Sequence, residues 1–137
     1  MRESARSRSS IETLLIVLEL VLALGAFFGS AMMLISPDGS MFGLPLSMLE
    51  GSGFSSFRTP AVILGLANGV FPAVVAIAAL GRRSWARYGH IMVGCVLTGW
   101  IAIQGVLIGF GHWLQISYLA LGLLIAALGL IEARRDR

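Results

Sequence analysis

Cysteine, lysine and charge of either sign are what this sequence has least of. It holds one cysteine, Cys95, in 137 residues. No intrachain disulfide can form, and zinc cages, CxxC redox chemistry and the quinone-linked disulfide-forming membrane enzymes, which need cysteine pairs, are excluded. Lysine is absent, so all ten basic residues are arginine, set against seven acids for a net charge of +3. Charged residues make up 12 % of the chain, about half of the roughly 25 % usual in a soluble domain. No Ser/His/Asp set, HExxH, P-loop or dinucleotide motif occurs. Enzymatic activity has no support, and no cofactor, metal or catalytic residue is expected.

What the chain has in excess is apolar length. Hydrophobic residues make up 57 % of it, which points to an integral membrane protein. Four apolar runs cover residues 11–35, 60–80, 88–110 and 113–131. Each is close to the roughly 20 residues a spanning helix needs. Membrane strands are shorter and alternate in polarity, and these runs do neither. The expected fold is an all-α membrane protein, a four-transmembrane-helix bundle. The expected organisation is a cytoplasmic Arg-rich tail over 1–10, a transmembrane domain over 11–132 and a cytoplasmic tail over 133–137. The first run is too long for a signal-peptide core of about 7–15 residues and contains Glu19, so it reads as an uncleaved helix.

The arginines set an expected orientation. Arg2, Arg6 and Arg8 precede the first run, Arg82, Arg83 and Arg87 lie between the second and third, and Arg134, Arg135 and Arg137 follow the fourth. Only Arg58 falls in the first loop. With four spans, nine of the ten arginines share one side, which the positive-inside rule makes the cytoplasm. Both termini are then cytoplasmic. The same placement accounts for the basic balance through topology and anionic-lipid contact, without nucleic acid. Trp85 and Tyr88 fall at one interface and Trp113 and Tyr118 near the other, as interfacial aromatics do.

The only long connection runs over residues 36–59. It opens on a turn, Ser36-Pro37-Asp38-Gly39-Ser40. Pro45 suits a first helical turn, and the apolar residues after it predict one or two turns of interfacial helix over 45–50, ending at Glu50. Thr59-Pro60 predicts an N-cap and first position for the second helix. Pro37, Asp38, Gly39, Pro45 and Glu50 are the candidate outer-loop residues. This Ser-Pro-Asp-Gly-Ser turn, followed by Gly43-Leu44-Pro45, Leu49 and Phe54, resembles a pattern in small, mostly uncharacterised four-helix bacterial inner-membrane proteins. The resemblance implies a multi-pass inner-membrane location and no established activity. The chain departs from that pattern at Gly53, where a Pro precedes the Phe, and at Pro60-Ala61, where Pro-Gly opens the second helix.

Small residues recur about one turn apart: Gly25 and Gly29, Gly65 and Gly69, Gly105 and Gly109, Gly122 and Ala126. Such spacing lets helix backbones approach. Glu19 is the only acid deep in a span, roughly 12 Å from the helix start at about 1.5 Å per residue. At that depth a carboxylate costs about 2.5–3.5 kcal/mol on insertion scales, so it should face the bundle. Helical spacing puts Glu12, Ala23, Ala26 and Ser30 on its face, Ala61, Gly65, Pro72 and Ala79 on that of Asn68, and Gly94, Ile101 and Gly105 on that of Thr98. The expectation is an intramembrane polar cluster of Glu19, Asn68 and Thr98, with Pro72 loosening the second helix beside it. His90 and His112 read as interfacial residues, too far apart to ligate one haem, Gln104 as a partner for a neighbouring helix, and Cys95 as a small buried apolar residue.

The sequence thus establishes a bilayer disposition more than an activity. The function it favours is a small accessory, scaffold or complex subunit. The alternative is a small proton-coupled transporter using the Glu19 carboxylate. Small multidrug-resistance transporters are similar in having four helices and an acid in the first, but they are shorter, lack the long first loop and show a weaker charge bias. The partners expected are the lipid bilayer and either another membrane protein or a second copy of the chain.

Overall fold

The computed structural model describes residues 8–43, 45–109 and 113–135, apart from the side chains of residues 42, 107 and 108. Helix α1 spans Ser10–Ile35 and opens on Ser9, whose Oγ accepts the Glu12 N–H at 3.0 Å. Helix α2 spans Arg58–Leu80, α3 Ala86–Ile108 and α4 Trp113–Arg135. All four are long and apolar enough to cross a membrane, and no strand occurs among the described residues. Helix α2 begins before the expected Thr59-Pro60 cap. Phe57 occupies the N-cap and Ser56 Oγ accepts the Arg58 N–H at 3.2 Å, which places Thr59 and Pro60 inside the first turn. Helix α4 continues to Arg135, so that Arg134 and Arg135 lie at the negative end of its dipole.

The helices form an antiparallel ring in which α1 packs on α2, α2 on α3, α3 on α4 and α4 back on α1, with α3–α4 the most extensive contact. Leu15 and Leu22 of α1, Val75 of α2, Val93, Leu97 and Ile101 of α3 and Ile125 of α4 fill the centre. The outside is apolar as well: Leu24, Phe28, Ile77, Ile103 and Val106 are all more than 60 % exposed. Apolar patches on this scale suit lipid and not water. Cys95 belongs to this outer surface and is exposed, not buried.

With no hydrophobic drive between helices in lipid, close approach has to bring them together. At α3–α4 the approach is between backbones. A Cβ on Gly94 would stand 2.6 Å from the Gly122 carbonyl oxygen and overlap the Ala126 backbone nitrogen. A Cβ on Gly129 would stand 2.9 Å from the Ile91 nitrogen. Gly65 and Gly69 instead make room for side chains of α1, Ser30 and the Phe27 ring. Gly109 lies beyond the end of α3 at φ 90° with nothing near its missing Cβ, so it is not a packing position.

Helix α2 is not regular. It widens into a π turn over Leu66–Val70, where the Phe71 N–H reaches back to the Leu66 carbonyl. Pro72 follows and lacks the N–H that would hold the preceding α-turn. Asn68 sits at the middle of this widened turn.

The long loop carries two 3-10 turns, Ser40–Phe42 and Leu46–Leu49, the second shorter than the helix expected over 45–50. Pro37 accepts the Phe57 N–H at 2.8 Å, joining the two ends of the loop. Asp38 Oδ1 accepts from Ser36 Oγ and from the Ser40 N–H, each at 3.0 Å. Gly39 turns the chain at φ 79°. Leu49 and Phe57 are buried, whereas Pro45 and Glu50 are exposed. Gly53 holds φ 89°, a value closed to proline.

Two outcomes follow. Gly94→Ala forces backbone against backbone and is expected to destabilise the bundle by about 1–3 kcal/mol in a denaturant titration in micelles. Gly99→Ala, with open space at its Cβ, should leave the midpoint unchanged or slightly raised. In the loop, the Ser40 backbone N–H, with the Ser40 and Ser36 hydroxyls, holds the Asp38 carboxyl below its ordinary value of 3.8. Ionised Asp38 therefore supports the turn at all pH above 3.8 and loses that effect as pH falls below it. The Ser40 amide resonance should move in this acid range and sit at its acid position at every pH in Asp38→Ala.

Candidate functional site

Glu19 projects from α1 into the centre of the ring, where its side chain is wholly buried. Its partner comes from across the bundle. His90 of α3 is also wholly buried, and its Nδ1 lies 2.6 Å from Glu19 Oε2. This is a short hydrogen bond. The two helices stand on the diagonal of the ring, so the bond passes through its middle. Gly129 of α4 packs against the His90 backbone and Cβ, leaving the space the ring needs. His90 is thus an interior residue and not the interfacial one its position near the start of α3 suggested. Signals for it existed. Glu19 needs a polar partner, and His90 heads the face that continues through Val93, Leu97 and Ile101, all buried.

The pair makes one bond and leaves two atoms over. Glu19 Oε1 and His90 Nε2 are buried without a hydrogen-bond partner among the described residues. Groups left so in a low-dielectric interior are costly, of the order of 1–3 kcal/mol each, and sites of this kind commonly hold internal water.

Asn68 and Thr98 reach the interior by other routes. Asn68 is wholly buried, and neither its Oδ1 nor its Nδ2 has a hydrogen-bond partner among the described residues. Thr98 is half-buried and turned towards α4, its Oγ1 2.6 Å from where a Gly122 Cβ would stand. Neither hydrogen-bonds Glu19, whose bond goes to His90. His112 lies outside the described residues.

Polar residues also close the end of the bundle that carries both termini. Ser9 Oγ donates to Glu132 Oε1 at 2.8 Å, and Glu132 is buried. Arg8 donates to the Ala79 and Leu80 carbonyls at 3.1 and 3.2 Å and pairs with Glu12 at 3.4 Å. It thereby adds a second donor to the Ala79 carbonyl, which already accepts the Arg82 N–H at 3.0 Å, and serves the Leu80 carbonyl at the end of α2. Glu132 lies three residues beyond Gly129, the residue in contact with His90.

Towards the other end the helices part around a cavity of about 710 Å³. Leu22 and Leu97 form its deep end and Asn68 stands in its wall. Leu22 is one turn from Glu19 on α1. Gln115 Nε2 donates to Gln104 Oε1 and to the Gly109 carbonyl, both at 3.0 Å, which joins α4 to α3 at the cavity. From the termini towards the loop, the interior therefore presents Glu132 with Ser9, then His90 with Glu19, then Asn68 and the cavity.

Among the described residues no group of three or more His, Cys, Asp or Glu could hold a metal ion. No protein-family model, curated protein or solved structure matches this chain.

The pair has a mutational signature. His90→Leu leaves the carboxylate buried alone and is expected to cost up to about 3–5 kcal/mol of stability. The double variant Glu19→Leu with His90→Leu removes both polar groups and should recover most of that loss in the same denaturant titration.

Proposed function

We propose that this protein moves protons through the membrane interior at the Glu19–His90 pair. One observation carries the reading: a carboxylate and an imidazole, both without exposed surface, bonded at 2.6 Å at the centre of four apolar helices. For stability alone such a pair has little to offer. Well-packed apolar residues of the same volume serve as well or better for stability, and interhelical polar bonds in membranes average only about 0.6 kcal/mol.

The chemistry suits proton transfer. The pair holds its proton as a unit. With the proton on either partner its net charge is zero, so passage along the bond adds no charge to the interior. Gain of a second proton leaves +1 and loss of the only one leaves −1, both costly away from water. Transfer is therefore favoured when release on one side accompanies uptake on the other. The two unpartnered atoms, Glu19 Oε1 and His90 Nε2, are the outlets such a relay requires. Glu132 with Ser9 lies towards one end, and Asn68 with the cavity towards the other. The arginine bias supports an inner-membrane setting with both termini cytoplasmic, so the cavity end would face outward.

Proteoliposomes loaded with a pH-sensitive dye and given a potassium diffusion potential test this. Wild type is expected to admit protons several-fold faster than empty liposomes, and Glu19→Gln to fall to the empty-liposome rate while remaining folded. Equal rates for wild type and Glu19→Gln would return the pair to a structural role and favour the accessory or subunit reading.

A further inference from the structure

We propose that the interhelical cavity is a binding site for an uncharged, lipid-soluble molecule whose head both donates and accepts hydrogen bonds, such as a hydroxyl-bearing neutral amphiphile. Its volume, about 710 Å³, falls within the roughly 300–1,000 Å³ of small-molecule sites. Its lining comes from all four helices, with Met48 of the loop as roof.

The walls define the ligand. Among the described residues, no Asp, Glu, Arg or His lines it. A charged head would find no counter-ion there and would pay its full desolvation. The polar side-chain groups are three carboxamides, a phenol and an indole: Asn68, Gln104, Gln115, Tyr118 and Trp100. Asn68 is the decisive one. It is wholly buried, both of its amide atoms lack a hydrogen-bond partner among the described residues, and it stands in the cavity wall. An orphaned carboxamide offers two donors and an acceptor together, so a hydroxyl, which does both, fits it better than a simple acceptor.

The place for an apolar tail is also visible. Phe28 of α1 and Leu114 of α4 line the cavity and are exposed at 68 % and 42 %. The cavity wall therefore reaches the lipid-facing surface between α1 and α4. A head seated at Asn68 can leave its chain in the bilayer through that side.

This site does not depend on the proton reading, since its deciding residue is Asn68 and not Glu19. The experiment is native mass spectrometry of the full chain released from nanodiscs, titrated with diacylglycerol, with octadecenol, and with octadecyl sulfate as a charged counterpart. Diacylglycerol or octadecenol is expected to bind and octadecyl sulfate to bind at least ten-fold more weakly. Diacylglycerol alone identifies a membrane lipid as the source, and octadecenol alone a lipophilic solute. Asn68→Leu should weaken binding at least ten-fold while its thermal midpoint stays level or rises, because it removes an unsatisfied buried group. Binding of neither neutral probe, equal binding of the sulfate, or unchanged binding by Asn68→Leu would overturn the proposal.

Discussion

The bond between Glu19 and His90 is the constraint around which the interior is arranged. It crosses the bundle on its diagonal, so it fixes the separation of two helices that otherwise meet little. A carboxylate and an imidazole fit between α1 and α3 only if α4 comes close, and Gly129 and Gly94 permit that. They fit only if the pair is shielded from water at the near end, and Arg8, Ser9 and Glu132 provide that closure. The price of this polarity recurs one turn further on, where the interior opens into a cavity instead of continuing as packed core.

Two kinds of packing divide the bundle. At α3–α4 glycine lets backbone meet backbone, a contact that tolerates no added atom. Between α1 and α2 glycine accepts side chains, with Ser30 donating to the Ala61 carbonyl at 2.7 Å beside Gly65. The first kind resists rearrangement, whereas the second can relax by rotamer changes. The π turn lies on the relaxed side, packed against α1 and, less extensively, against α3.

Much of this was legible in the chain itself. Four apolar runs became four helices because backbone in hydrocarbon has few other ways to satisfy its hydrogen bonds. Ala23, Ala26 and Ser30 beside Glu19, and Ala61, Pro72 and Ala79 beside Asn68, are buried as helical spacing implies, while Glu12 and Gly65 on the same faces are half-buried. Other features depend on what meets what. His90 read as interfacial because depth was counted along α3 alone, while its burial comes from α1 and α4 extending past it. Cys95 read as interior because a thiol suits lipid and core equally, so its chemistry does not choose a side. Small residues mark every helix, and nothing in their spacing distinguishes Gly94, which touches backbone, from Gly109, which touches nothing. The π turn had one herald, Pro72, but the widening of a helix has no letter of its own.

The hydrogen bond from Phe57 to Pro37 joins the two ends of the long loop independently of what lies between them. The helices below do not feel the length or identity of the intervening segment, provided Asp38 keeps its turn and Leu49 its burial. Met48 is carried by that same segment and roofs the cavity. Walls and roof are therefore free to evolve at different rates: drift in the loop remodels the top of the chamber while the bundle that holds the pair stays as it is.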